Sequence, residues 1–223
     1  MTAAPSTRRA ALRRAALAAG AIATPALLRP AVADAQEEVD EAELEAFLVE
    51  AVVLEQIALL AYETAANQLR ADRELTRTLE RFAGHEQAHA SAVRSALDSL
   101  GVDEPDPPSA PDNSAAIEDV DELDDERAAE LVDLLAELGD IEERDAYLEY
   151  LISLEEAQLE LYALEAPEFA TEDLLRVGAE IAACQAQHLV VLREALGAAP
   201  ADALPEIPAA PPGDAEPADG GGD

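Results

Sequence analysis

The sequence predicts an all-α fold: a bundle of four long helices, with a long crossover between the second and third that holds one short extra helix. Three observations carry this reading. Apolar residues recur at helical spacing through four separate stretches, and no stretch alternates convincingly as a strand would. The crossover is far longer than an antiparallel turn needs, so it can run the length of a bundle. Finally, the two halves of the chain resemble each other at an offset near 100 residues.

Residues 1–35 read as an export signal. Arg8-Arg9 and Arg13-Arg14 are its basic region, Ala15 to Leu28 its apolar run, and "AVADA" supplies small residues for cleavage after Ala33 or Ala35. The paired arginines look like a twin-arginine signal, a route that exports folded proteins, although Ala follows Arg-Arg where a bulky apolar residue is common. An ordinary secretory signal, or an uncleaved N-terminal anchor, is the alternative. Either way the expected location is outside the cell, in the envelope or in the periplasm. No other apolar run approaches the ~20 residues of a membrane span, so no stable membrane insertion is expected once the leader is gone.

The first long helix is expected over residues 40–70, with a stripe of Leu44, Leu48, Ala51, Leu59, Tyr62, Ala66 and Leu69. The second runs over 73–100 on Leu75, Leu79, Phe82, Val93, Leu97 and Leu100, and Gly101 ends it. "GVDEPDPPSAPDNSAA" then opens the crossover, followed by an acidic helix at about Asp124–Leu138 that stops at Gly139. The third long helix is expected over 141–166 on Leu148, Leu151, Leu159 and Tyr162. The fourth spans 172–197 on Leu174, Val177, Ile181, Leu192 and Leu196, with Thr171 as N-cap and Gly197 as stop. This places the bundle at 36–197 and leaves 198–223, rich in Pro, Gly, Ala and acid, as a disordered tail.

Charge narrows the partners. All 14 basic side chains are Arg, they face 49 acids, and the net charge is -35, with five of the Arg in the leader. Such a surface repels nucleic acid and anionic membranes and favours solubility. Cys184 is the only cysteine, so no internal disulfide is available, and its simplest reading is a buried inert thiol. The sequence leaves oligomerisation open.

The chemistry lies where polar residues interrupt apolar stripes. Glu55 sits between Ala51 and Leu59, Glu86 and His89 between Phe82 and Val93, and Glu155 between Leu151 and Leu159. His188 sits between Ile181 and Leu192, with Gln185 beside it. A buried carboxylate costs several kcal/mol or takes up a proton. Three facing each other are worse, and divalent cations resolve the conflict by offsetting the charge. The levels agree: Glu55 lies 16 residues before Ala71, and Glu86 and His89 lie 15 and 18 after it. The repeat is centred on these same residues. "LEQIALLAYE" and "LEEAQLELYA" place Glu55 and Glu155 seven residues before Tyr62 and Tyr162. "HEQAHASAVRSALDSLG" and "CQAQHLVVLREALG" align His85 with Cys184, Glu86 with Gln185 and His89 with His188. The two tyrosines read as core aromatics with bonded hydroxyls, and Arg94 and Arg193 as partners of surface carboxylates.

The arrangement resembles the ferritin-like di-iron carboxylate bundles, whose pattern is one Glu from each of two helices and Glu-x-x-His from each of the other two. Glu55, Glu86, His89, Glu155 and His188 match it over roughly residues 40–197. With its leader and crossover helix the chain looks most like secreted bacterial proteins with a single such domain. Gln185 departs from the pattern, which expects Glu. The resemblance implies metal at Glu55, Glu86, His89, Glu155, Gln185 and His188, with iron as the cofactor, two ions or a degenerate one-ion site, and oxidation of Fe(II) by O₂ or peroxide. Two other readings stay open. One is a metal-free scaffold or binding module that keeps the polar residues as a hydrogen-bonded core. The other is a zinc protease, in which His85 and His89 of "HEQAH" hold the ion and Glu86 is the base.

Overall fold

Helix ends and stripes account for most of the computed structural model, which describes residues 41–103, 105–118, 120, 123–165 and 172–205. The leader, Thr171 and residues 206–223 therefore lie outside the described residues. The elements are α1 (Glu41–Gln68), α2 (Arg73–Leu100), α3 (Ala115–Glu118), α4 (Asp125–Gly139), α5 (Arg144–Glu160), a π-turn (Leu161–Glu165) and α6 (Glu172–Leu196), with no strand among the described residues. Asp72 caps α2 by accepting the Leu75 N–H at 3.2 Å, and Asp124 caps α4 by accepting that of Arg127 at 2.8 Å. Gly101 and Gly197 take φ of 77° and 102°, the left-handed conformation that a helix stop favours. Behind them the Val102 and Ala198 N–H groups bond back to the Leu97 and Arg193 carbonyls.

Helix α1 packs along α2 and α5 along α6, while α1 also meets α5 and α4, and α2 meets α6. With three helices against it, α1 is buried on every side from Phe47 to Ala58, wider than the single stripe expected of it. The crossover helix α4 is tied down by an ion pair from Arg127 to Glu50 on α1 and by Tyr150 of α5, whose hydroxyl donates to the Leu134 carbonyl at 2.7 Å.

Three expectations need correction. The third long helix begins at Arg144, and its last turn widens into a π-turn that carries Tyr162. The crossover holds a second, one-turn helix, α3, which buries Ile117. Helix α4 ends at Gly139, as expected, and a Cβ there would meet Pro111 at 3.3 Å, so close chain approach favours glycine. The tail does not lose order at Ala198. The Asp202 and Ala203 N–H groups bond to the Ala199 carbonyl, Ala203 is buried, and Arg193 donates to the Leu204 carbonyl at 3.0 Å.

Candidate metal centre

Each of the four long helices sends polar side chains inward near mid-length, on the stripes that bury its neighbours. Glu55 of α1, Glu86 of α2, Glu155 of α5 and Gln185 of α6 are fully buried, His188 nearly so, and the His89 side chain is 12% exposed. Two groups of potential ligands result: Glu55, Glu86 and His89, and Glu86, Glu155 and His188. Within each, one ligand atom per residue lies within 4.8 Å of the others. Glu86 belongs to both. His89 Nδ1 stands 3.4 Å from Glu55 Oε2 and 3.6 Å from Glu86 Oε2, while His188 Nδ1 stands 2.9 Å from Glu155 Oε1 and 3.2 Å from Glu86 Oε1. Glu86 and His89 are three apart, so one helix face presents both.

The tyrosines cross between the halves. Tyr62 donates to Glu155 rather than Glu55, and Tyr162 donates to Glu55 Oε1 at 2.8 Å. Each hydroxyl orients a carboxylate that the other half contributes. Gln185 Nε2 donates to Glu86 Oε2 at 3.1 Å, and so does Gln158 Nε2, also at 3.1 Å. Sequence reading overlooked Gln158. The available signal was its place one turn after Glu155, fully buried like it; in the other half the corresponding residue is Ala58.

The electrostatics follow from three carboxyls facing two histidines away from water. Burial, reinforced by the charge on Glu86, pushes Glu55 well above the usual carboxylate range. Burial raises Glu155 to about 7 against the pull of His188. Burial also acts on Glu86, but the neighbouring imidazoles of His188 and His89 outweigh it and hold that carboxyl well below the usual range. Burial disfavours charge on the histidines too, yet contacts with Cys184 and the carboxylates raise His89 to about 12 and His188 to about 11. The directions agree in favouring charge on the two imidazoles and on Glu86, and in disfavouring it on Glu55 and Glu155.

A divalent cation suits this donor set. Glu55 Oε2, Glu86 Oε1, Glu155 Oε2 and Gln185 Oε1 are buried without a hydrogen bond, and such atoms cost stability unless something fills their lone pairs. Carboxylates with imidazoles suit first-row divalent ions, including iron.

His85, the counterpart of Cys184 in the repeat, is a candidate ligand only in the protease reading. It is half-buried, and its Nδ1 meets His188 Nε2 at 2.9 Å. Cys184 Sγ lies 3.5 Å from both of these nitrogens. Burial and the charge on His188 lower His85. Burial would raise the Cys184 thiol, but His188 and His89 bring it down to about 7. Cys184 is half-buried rather than buried. The zinc-protease pairing finds no geometric support, since among the described residues no candidate ligand group holds both His85 and His89. Arg193 pairs with Glu156 at 2.5 Å, as expected.

Residues 44–198 match the family model of the ferritin-like domain. No curated protein and no solved structure matches the chain significantly.

Proposed function

The chain belongs to the ferritin-like domain family, and from that premise we propose that its core holds iron at two adjoining positions and serves oxidation of Fe(II) by O₂ or peroxide. The observation that carries this is the sharing of Glu86: a single fully buried carboxylate joins two three-residue ligand groups. Glu55 and His89 would complete one position, Glu155 and His188 the other, with the Gln185 amide oxygen as a neutral donor. Iron bound there would supply the electrons for reducing the oxidant.

The protein's own part is positioning and exclusion of water. Tyr62 and Tyr162 hold Glu155 and Glu55 by hydrogen bonds. Phe82 stacks on His188 with ring centroids 3.8 Å apart and fixes its plane. Before loading, His89 and His188 carry protons that metal binding displaces. Among the described residues no helix is long and apolar enough to cross a membrane, and the basic, apolar start of the chain supports export as the route to its place of work.

The test is metal analysis of untagged protein, purified with and without added Fe(II), followed by O₂ consumption on anaerobic Fe(II)-loaded protein. Iron near two equivalents per chain, with O₂ uptake that Glu86→Ala abolishes, supports the proposal. A metal-free bundle is the second reading, favoured by the two amides that already satisfy Glu86 Oε2. Protein that takes up no metal under any of these conditions would establish it.

A further inference from the structure

The carboxylate centre uses only one edge of His188. Its Nδ1 faces Glu155 and Glu86, and its Nε2 faces away, toward His85 and Cys184. We propose that His85 Nδ1, Cys184 Sγ and His188 Nε2 form a separate, sulfur-containing cation site of the Zn(II) class, adjoining the carboxylate centre and sharing His188 with it.

Geometry is the first argument. The three potential ligand atoms lie 2.9, 3.5 and 3.5 Å apart. Tetrahedral zinc has bonds of about 2.3 Å to sulfur and about 2.0–2.1 Å to nitrogen, which gives edges of roughly 3.6 Å between S and N and 3.3 Å between N and N. Both sulfur edges fit within about 0.1 Å. The two rings now face each other head-on, with centroids 5.2 Å apart, so the third edge opens by a few tenths of an ångström and both rings turn toward Cys184 when the cation replaces the proton held between them. A hydrogen bond alone explains the short contact between the rings.

The local structure prepares the site. Cys184 and His188 are four apart on α6 and share a face. His85 reaches them from α2, its ring tilted at 34° to Phe82 with centroids 6.1 Å apart, and within 12° of the plane of His188. His85 and Cys184 are both partly exposed, so a cation reaches them without crossing the core, and water can take the fourth position. One thiolate with two imidazoles selects borderline or soft ions over Mg(II) or Ca(II). The carboxylate centre offers no sulfur, so the two sites prefer different ions. When both are filled, His188 gives up both ring protons and bridges them.

This site does not depend on the carboxylate centre being loaded. The probe is Co(II), which shares zinc's geometric preferences and absorbs light. The full chain, reduced and stripped with a chelator, is titrated with Co(II). A sulfur-to-cobalt charge-transfer band should grow in the near-ultraviolet, saturate at one equivalent and be displaced by Zn(II). It should vanish in Cys184→Ser and weaken in His85→Gln, with far-ultraviolet circular dichroism unchanged. Absence of the band in the natural protein overturns the proposal, as does a band that survives Cys184→Ser, and the first result needs no variant to fold. The outcome is separable from the reading above: two equivalents bound without the band sink this site alone. One equivalent bound with the band upholds it, even where the carboxylate centre stays empty.

Discussion

Replacing Gln185 by Glu tests the core most directly. Gln185 is fully buried, and its Nε2 donates to Glu86 Oε2 at 3.1 Å. The substitution puts a carboxyl oxygen where that donor stood. An ionised pair about 4 Å apart repels by roughly 4 kcal/mol at an effective dielectric of 20. The metal-free chain has a cheaper course: the new carboxyl keeps its proton and donates it to Glu86. Starting from the ordinary value near 4.5, holding that proton at pH 7 costs about 3 kcal/mol. The folded-state value is raised, so the loss of stability grows as pH rises above about 4.5 and is under about 1 kcal/mol at pH 5. For a domain of this size, 3 kcal/mol lowers Tm by roughly 6–12 °C. Thermal unfolding by circular dichroism at pH 7 and pH 5, with chelator present, measures both numbers. Anaerobic calorimetry with Fe(II) measures the other half, where the added charge should tighten the weaker position and reverse the Tm deficit. A variant as stable as the natural protein at pH 7 in chelator would refute the contact between Gln185 and Glu86. Fe(II) affinity no higher than that of the natural protein would refute a place for residue 185 among the ligands.

Glu55→Gln and Glu155→Gln should each cost one equivalent of bound iron, and Glu86→Gln both, because Glu86 alone belongs to both groups; elemental analysis after gel filtration reads the counts. Loading at pH 7 should release about two to three protons, from His89, His188 and Glu55 or Glu155, which calorimetry in buffers of different ionisation enthalpy detects. Gly101→Ala should cost about 1–2 kcal/mol in urea unfolding, since φ is +77° there and nothing crowds a new Cβ, so backbone conformation is the whole effect.

Periodicity made most of the bundle legible. The stripe on α2 predicted its buried face from Leu75 to Leu97, and the two left-handed glycines were readable as stops because each follows the last apolar repeat. Polar residues on those stripes were readable for the same reason: a helix that buries Phe82 and Val93 must also bury Glu86 between them. What periodicity within one helix does not encode is which side chain of another helix arrives at a given height. The Tyr62–Glu155 and Tyr162–Glu55 pairs link residues 93 and 107 apart. The meeting of His85 with His188 and Cys184 likewise depends on how α2 and α6 lie together. The ordered start of the tail was hidden by composition, since Ala and Pro suggest disorder unless a neighbour such as Arg193 ties down their carbonyls.

The internal repeat gives these particulars a common logic. Where the halves agree, the paired residues exchange roles: Glu55 and Glu155, Tyr62 and Tyr162, with each tyrosine bonded to the other half's carboxylate. Where they differ, two of the differences gather on Glu86. Its own counterpart is Gln185, and Gln158 stands where the first half has Ala58. Both amides donate to the same oxygen, Glu86 Oε2. A symmetric core would set two carboxylates against each other at that point and would depend on cations to fold well. This core replaces one of them by a donor and adds a second donor, which stabilises Glu86 as an anion before any cation arrives. The same two amides occupy one of the two Glu86 oxygens, leaving Oε1 for a cation. Stability without metal and affinity for the second ion therefore oppose each other here, and the asymmetry of the two halves places this chain toward the side of stability.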